Sequence, residues 1–349
     1  MTTQKKIAVL GAGANGASIG ADLTRAGFDV VLIDQWPAHV EAMRARGAII
    51  EMPDETLTQP VRAFHLCDVC TFTEPFDIVL LVTKAYDTRW SCELIKPYLK
   101  PDSLVAGVQN GMTTDIIADV VGAERTIGCV IEISSMMFDP GVVMRHSPPP
   151  RSWFAVGAID PRAAGREHEI AELLRHVGSV ETVEDIRATK WMKLVSNATT
   201  LVTTAILGLP IHEAVAIPAM RELMLRSGQE ALDAGAAIGY RPLPIFGLKP
   251  DDMRQTNRLV ETLLDTLLTG FTLPNTKTTV LQDWIKSRHS EVDDLNGLVV
   301  AESGKRGLAA PVNAAVAEIA RRIERHELKP DPANLALLQS LAAVAPGRA

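Results

Sequence analysis

The sequence predicts an α/β domain with a parallel, doubly wound sheet, followed by an all-α domain. Three observations predict it. Apolar runs of strand length alternate with helical stretches through the first half, and a glycine-rich turn joins the first run to the first helix. Beyond about residue 185 only helical periodicity continues. The chain has 349 residues, enough for two domains with real cores, and we place them at 1–186 and 187–349.

The runs "KIAVLGAG", "DVVLID", "DIVLLVTK", "SLVAGVQNG" and "TIGCVIEISSMMF" lack the polar alternation of a half-exposed strand. They read as strands buried on both faces. Helices are expected between them at about 14–26, 36–47, 87–98 and 112–121. "GVVMRH" and "SWFAVGAI" read as later antiparallel additions, with "SPPPR" as the turn between them. From "IRATKWMKLV" to "ARRIERHEL" the pattern is helical, punctuated by "GLP", "GYRPLP" and "LPNTK". The closing "APGRA" is expected to fray.

Composition excludes several classes. Apolar residues make up 47% and charged residues 22%, ordinary for a globular protein. A net charge of −7 argues against a nucleic-acid surface. No apolar run approaches the roughly 18 residues of a membrane helix, and "MTTQKKIAVLGAG" runs almost directly into a strand without a signal-peptide core. A cytoplasmic protein with no nucleic-acid or membrane partner is expected. The cysteines are Cys67, Cys70, Cys92 and Cys129; "CDVC" has C-x-x-C spacing, but no second pair completes a metal set. Reduced, structural thiols and no metal are expected.

"IAVLGAGANGASIG" sets Gly11, Gly13 and Gly16 as G-x-G-x-x-G between a strand and a helix. That is the arrangement of a Rossmann dinucleotide-binding turn. Gly11 permits the tight turn, Gly13 lets the backbone approach a pyrophosphate, and Gly16 lets helix and strand pack closely; Ala14 and Asn15 complete the cradle at the helix N-terminus. The next strand ends at Asp34, 18 residues after Gly16, near the spacing of an acid that binds the adenosine ribose. A carboxylate there repels a 2′-phosphate, which favours NAD(H) over NADP(H). Lys84, after "DIVLLVT", argues the other way, since an ammonium at that strand end can meet a phosphate.

In "WMKLVSNATTL" Lys193 and Asn197 share one helix face, and Leu201 lies a turn further on. The rest of the stretch looks made for a core, so an ammonium beside an amide needs a reason.

"GAGANGASIG", "KAYD…QNGM", "KLVSN" and "TTVLQDWIKSRHSEVDDLNG", with "GLAAPVNAAV" after it, together resemble the ketopantoate reductase family over about residues 5–325. The resemblance implies a Rossmann domain joined to a helical one, with an active site in the cleft between them. It implies reduction of a small 2-keto acid by a nicotinamide cofactor. It also implies that Lys193 is the general acid, Asn197 and Thr279 bind substrate, Asn110 and Glu291 serve the cofactor and catalytic site, and Lys84 meets the cofactor's 2′-phosphate. A homodimer through the helical domain is implied as well. Two positions depart from the family pattern. Leu201 stands where a second substrate-binding asparagine is usual, and Asp34 and Gln35 stand where a phosphate-binding arginine is usual. With Leu201 in the site, the substrate is expected to be less polar or bulkier at that point than ketopantoate.

The chemistry of the residues agrees. As hydride reaches a carbonyl carbon, charge grows on oxygen, and a positioned ammonium that donates its proton is worth roughly 10²–10⁴ in rate. Lys190 is a weaker candidate for that role. On spacing alone Glu291 and Asp294 read as solvated carboxylates of an acidic helix start, and His289 identifies nothing. Lys277, Asp283 and Asn296 are cleft candidates without a catalytic role. The Leu and Met positions of "AMRELMLRSGQEALDAGAAIG" read as core or a dimer face. The alternatives are a 3-hydroxyacid dehydrogenase-like enzyme, which normally has glycines before its lysine where this chain has "EDIRATKWM", and a non-catalytic dinucleotide sensor.

Overall fold

The computed structural model describes residues 5–254 and 258–343, so "APGRA" lies outside the described residues. The chain divides into two compact units, Met1–Arg187 and Ala188–Ala349.

The first unit holds β1 (Lys6–Leu10), β2 (Asp29–Asp34), β3 (Ala48–Glu51), β4 (Thr56–Gln59), β5 (Arg62–His65) and β6 (Phe76–Leu81). These are followed by β7 (Leu99–Gly107), β8 (Thr126–Glu132), β9 (Ser135–Met136), β10 (Val142–Arg145), β11 (Trp153–Ala158) and β12 (Ser179–Thr182). Its helices are α1 (Ala14–Arg25), α2 (Pro37–Arg46), α3 (Thr88–Ile95), α4 (Thr114–Val121) and α5 (Glu167–Leu174). Eight strands form one sheet in the order β12-β11-β8-β7-β6-β1-β2-β5. From β8 through to β5 every pair is parallel, and β11 joins antiparallel to β8.

Alternation along β1 shows why these strands lack polar positions. Ile7 and Val9 pack with Ile19 and Leu23 of α1, Val40 and Met43 of α2 and Ile170 of α5. Ala8 and Leu10 face the other way, onto Cys92 and Ile95 of α3 and Ile117 of α4. Helices cover both faces, so each side chain of a central strand is buried.

"GVVMRH" does not extend this sheet. It forms β10 in a second sheet of order β4-β3-β10-β9, parallel to β3 and antiparallel to β9. "SPPPR" therefore links two sheets through a 3-10 turn at Pro149–Arg151. One side chain in β10 makes a long-range contact that the strand pattern does not reveal. Fully buried Arg145 reaches Asp22 of α1 at 2.5 Å and also donates to the carbonyls of Ser147 and Val177, each at 2.8 Å. Burial raises the Asp22 pKa, although Arg145 pulls it back, and burial lowers that of Arg145. The pair fastens β10 to α1 inside the unit.

The second unit is helical, with most of α6 (Ile186–Ala205) followed by α7 (Ile211–Val215), α8 (Pro218–Ile238), α9 (Leu259–Gly270), α10 (Thr279–Ile285), α11 (Asn296–Gly304), α12 (Pro311–Glu324) and α13 (Asn334–Ala343). Helix α6 is buried nearly all round, and four of its five threonines are satisfied within the helix. Thr199, Thr200, Thr203 and Thr204 each donate to the carbonyl four residues earlier. Its Ala198 carbonyl accepts from Ser227 of α8 (2.9 Å) and Asn296 of α11 (3.2 Å). Glu230 of α8 takes the Val312 and Asn313 N–H groups, both at 2.9 Å, and so caps α12 from a neighbouring helix. Among the described residues no helix is long and apolar enough to cross a membrane.

Arg145→Met should destabilise the protein by about 3–5 kcal/mol in urea unfolding, because it strands a buried carboxylate. Arg145→Met combined with Asp22→Leu should recover part of that loss.

Candidate active site

Parallel register decides where the functional groups of the first unit emerge. Leu10 pairs with Ile33 on β2 and with Leu81 on β6, and Leu81 pairs with Gly107 on β7. The strands end level, so Gly11, Asp34, Lys84 and Asn110 all leave the sheet at its carboxyl edge.

At Gly11 φ is +94°, and a Cβ there would lie 2.6 Å from the Thr83 nitrogen. A Cβ on Gly16 would lie 2.1 Å from the Gly11 oxygen, whereas one on Gly13 would meet nothing within 4 Å. The space above Gly13 is open. Gly13 begins α1 without a side-chain cap, and no acid occupies the first turn, so the amide donors of Ala14 and its neighbours are left for an anion. This cradle fits a dinucleotide pyrophosphate. Asn15 is held from below, its Oδ1 accepting from Ser135 at 2.6 Å.

His39 escapes any spacing rule. Its Nδ1 accepts the Gly141 N–H at 2.9 Å, which leaves Nε2–H to donate to the Ala12 carbonyl at 2.8 Å inside the glycine turn. Gln109 was likewise not singled out. Its amide donates to Thr88 (2.9 Å) and to the Lys84 carbonyl (3.3 Å), tying the Asn110 loop to the Lys84 loop. Gln109 is buried and adjoins "NG", the one cue the sequence offers.

In the second unit Lys193, Asn197 and Leu201 follow one face of α6. Lys193 is 9% exposed, and its Nζ lies 5.0 Å from the centre of the Phe246 ring, within cation–π range. Asn197 is buried, and Leu201 is partly exposed. The Leu201 carbonyl accepts from Thr278 Oγ1 at 2.9 Å, and the Thr278 hydroxyl oxygen in turn caps α10 by accepting from the Leu281 N–H. That contact brings Thr279, the first residue of α10, beside Leu201. The Thr279 hydroxyl oxygen is buried and makes no hydrogen bond to the described residues. Lys190 is buried on the same helix. Phe246 has no sequence signal beyond its place in a proline-rich loop.

Glu291 and Asp294 are not on a helix start as spacing suggested. They lie in the irregular segment before α11, with Glu291 buried. Asn296, which follows, is a structural residue, bonded to Ala198, Ser227 and Asn313. Lys277 lends its carbonyl to Gln282 (2.9 Å), and Asp283 is buried with its carbonyl on the Arg288 N–H (2.8 Å). The four cysteines are free thiols. Cys92 and Cys129 are core residues, and burial pushes Cys92 up to about 12, while Cys67 and Cys70 are exposed on a 3-10 turn.

Comparison with known proteins shows the family of the chain. The family model "Ketopantoate reductase PanE/ApbA" matches residues 7–159, and "Ketopantoate reductase PanE/ApbA C terminal" matches residues 185–324. The chain belongs to the ketopantoate reductase family. It is 27% identical to the 2-dehydropantoate 2-reductase of Archaeoglobus fulgidus, covering 92% of this chain and 98% of that one. To the enzyme of the same name from Caulobacter vibrioides it is also 27% identical, over 89% and 96%. Among solved structures, the PanE/ApbA family ketopantoate reductase from Ralstonia eutropha JMP134 superposes with TM-score 0.76 at 26% identity, covering 92% and 99%. D-mandelate dehydrogenase with NADH and anilino(oxo)acetate superposes at 0.81 with 20% identity, over 92% and 99%, which is a likeness of fold.

Family membership makes the chain an oxidoreductase acting on CH–OH groups and sets aside the sensor and the 3-hydroxyacid dehydrogenase. It also overturns the expectation of NAD(H) over NADP(H), because the relatives are 2-dehydropantoate 2-reductases, an NADPH-dependent activity. Asp34 does not decide the cofactor: it is only 7% exposed, and its Oδ1 already accepts the Trp36 N–H of the following turn at 2.8 Å.

Asp294 gives this site a pH signature. Burial first, then the neighbouring Glu291 and Asp293 charges, push its pKa up to about 6. Between about pH 4 and that value the folded chain holds a proton that the unfolded chain releases, so this group's contribution to stability declines as pH rises through the window. Asp294→Asn should flatten that decline in urea unfolding compared at pH 4.5 and 7.

Proposed function

We propose that the chain reduces a 2-keto acid, or oxidises the matching 2-hydroxy acid, with NADP(H) as cofactor and Lys193 as proton donor. One observation carries the reading: a nearly buried ammonium on α6, held against the Phe246 ring at 5.0 Å, one turn from Asn197. The ring face positions the amine, which as an ammonium has a proton to give. Asn197 supplies an amide to orient substrate oxygen a turn along the helix, and Thr279 adds a hydroxyl beside Leu201.

Bound NADPH supplies the hydride. Gly11, Gly13, Ala14, Asn15 and Gly16 of the first unit cradle its pyrophosphate, Lys84 offers its charge to the 2′-phosphate, and Asn110 of the first unit and Glu291 of the second serve the nicotinamide end. Lys193 stabilises the oxyanion as it forms and completes the reduction by protonating it.

Leu201 narrows the substrate. Its side chain gives an apolar surface where an amide would hold a hydroxyl, so the favoured acid carries an apolar substituent there. A panel of 2-keto acids with NADPH tests this. Less polar acids should exceed ketopantoate in kcat/KM, and Leu201→Asn should shift the preference toward ketopantoate by about tenfold or more. If ketopantoate is the best substrate of the unaltered protein, the narrower reading fails and the activity of the curated relatives stands in its place.

A further inference from the structure

The segment that carries Glu291 has no regular structure between the end of α10 at Ile285 and the start of α11 at Asn296. It also contains a strained residue, Ser287, with φ of +54°. Such a segment needs outside restraint to hold a side chain in one place. At its far end the restraint is Asn296, bonded to the Ala198 carbonyl of α6. At its near end one carboxylate does the holding.

Glu324 is the last residue of α12, where a negative charge is disfavoured by the helix dipole. It is nevertheless largely buried, and donors surround it. Its Oε1 accepts from Ser290 Oγ at 2.5 Å, the Ser290 N–H at 3.0 Å and Trp284 Nε1 at 3.3 Å. Its Oε2 faces His289 Nδ1 at 3.0 Å. Ser290, fixed through both main chain and side chain, is the residue directly before Glu291. His289 thus has a place in the structure that its spacing did not suggest.

We infer that Glu324 is a positioning residue for Glu291: it fixes the 284–290 turn and thereby sets where the Glu291 carboxylate stands during turnover. This rests on the proposed role of Glu291 at the cofactor and catalytic site. What matters is the acceptor oxygen at the correct reach more than the charge. Glu324→Gln keeps that oxygen, Glu324→Asp draws it back by one methylene, and Glu324→Ala removes it.

The test is steady-state turnover of the full-length protein with NADPH and its best 2-keto acid, for Glu324→Gln, →Asp and →Ala, each alone and combined with Glu291→Gln. Thermal midpoints and near-ultraviolet dichroism would be recorded for each variant. Glu324→Gln should stay within about threefold of the unaltered kcat, and Glu324→Ala should lose about tenfold or more, with Glu324→Asp between them. In the Glu291→Gln background, Glu324→Ala and Glu324→Asp should cost little more, because both act through one group.

Full additivity of the two sites, or Glu324→Asp turning over faster than Glu324→Gln, would overturn the inference while leaving the role of Glu291 intact. If Glu291→Gln alone turns over normally, the role of Glu291 is wrong and the inference falls with it. Should Glu324→Ala not fold, the Asp and Gln variants complete the comparison.

Discussion

Putting an ammonium inside a helical core is the constraint around which the second unit is arranged. A buried charge is expensive unless something replaces its water. Here the Phe246 ring stands over Lys193 Nζ, and that ring is itself held by Phe271, with centroids 5.4 Å apart. Phe246 adopts φ of +63°, a conformation that costs a non-glycine residue about 1–3 kcal/mol. The loop tolerates this strain to present the ring. The helix bearing Lys193 is pinned just as closely. A Cβ on Gly228 of α8 would lie 2.2 Å from Thr199 Oγ1, and one on Gly235 would lie 2.2 Å from Trp191 Nε1. Two glycines therefore let α8 press against α6, and Trp191 donates to the Ala231 carbonyl at 2.9 Å. The lysine is fixed because its helix is.

The first unit obeys a different constraint with a similar result. Parallel pairing in register makes its strands end at one level, so residues far apart in sequence share an edge. Loop contacts then refine their placement: His39 on the Ala12 carbonyl, Gln109 on the Lys84 carbonyl, Ser135 on Asn15. None of these three supporting residues has a role in the chemistry proposed. They restrict the loops, and restricted loops are what an anion cradle requires.

Legibility in the sequence followed the range of the interaction that fixes each element. The central strands and α1 to α4 were readable because buried parallel strands and amphipathic helices have local patterns. Gly11 and Gly16 were readable because a Cβ at either would strike backbone, whereas Gly13 was readable only as part of the same motif. The second sheet was not, since β10 pairs with β3, more than 90 residues earlier, and carries an Arg145–Asp22 ion pair that spans 123 residues. Asp34 did not decide between NAD(H) and NADP(H), because sequence does not show that one of its oxygens accepts from its own turn. Phe246 and Glu324 were invisible for a related reason: each acts on a residue distant in sequence, and neither belongs to a periodic pattern.

The most direct measurement is the turnover of Lys193→Ala with NADPH and its best 2-keto acid, alongside cofactor affinity measured by fluorescence titration. If Lys193 donates the proton, kcat falls by about 10²–10⁴ while NADPH binds as before, and added primary amine restores part of the rate. An unchanged kcat in a folded variant that still binds NADPH would contradict the assignment.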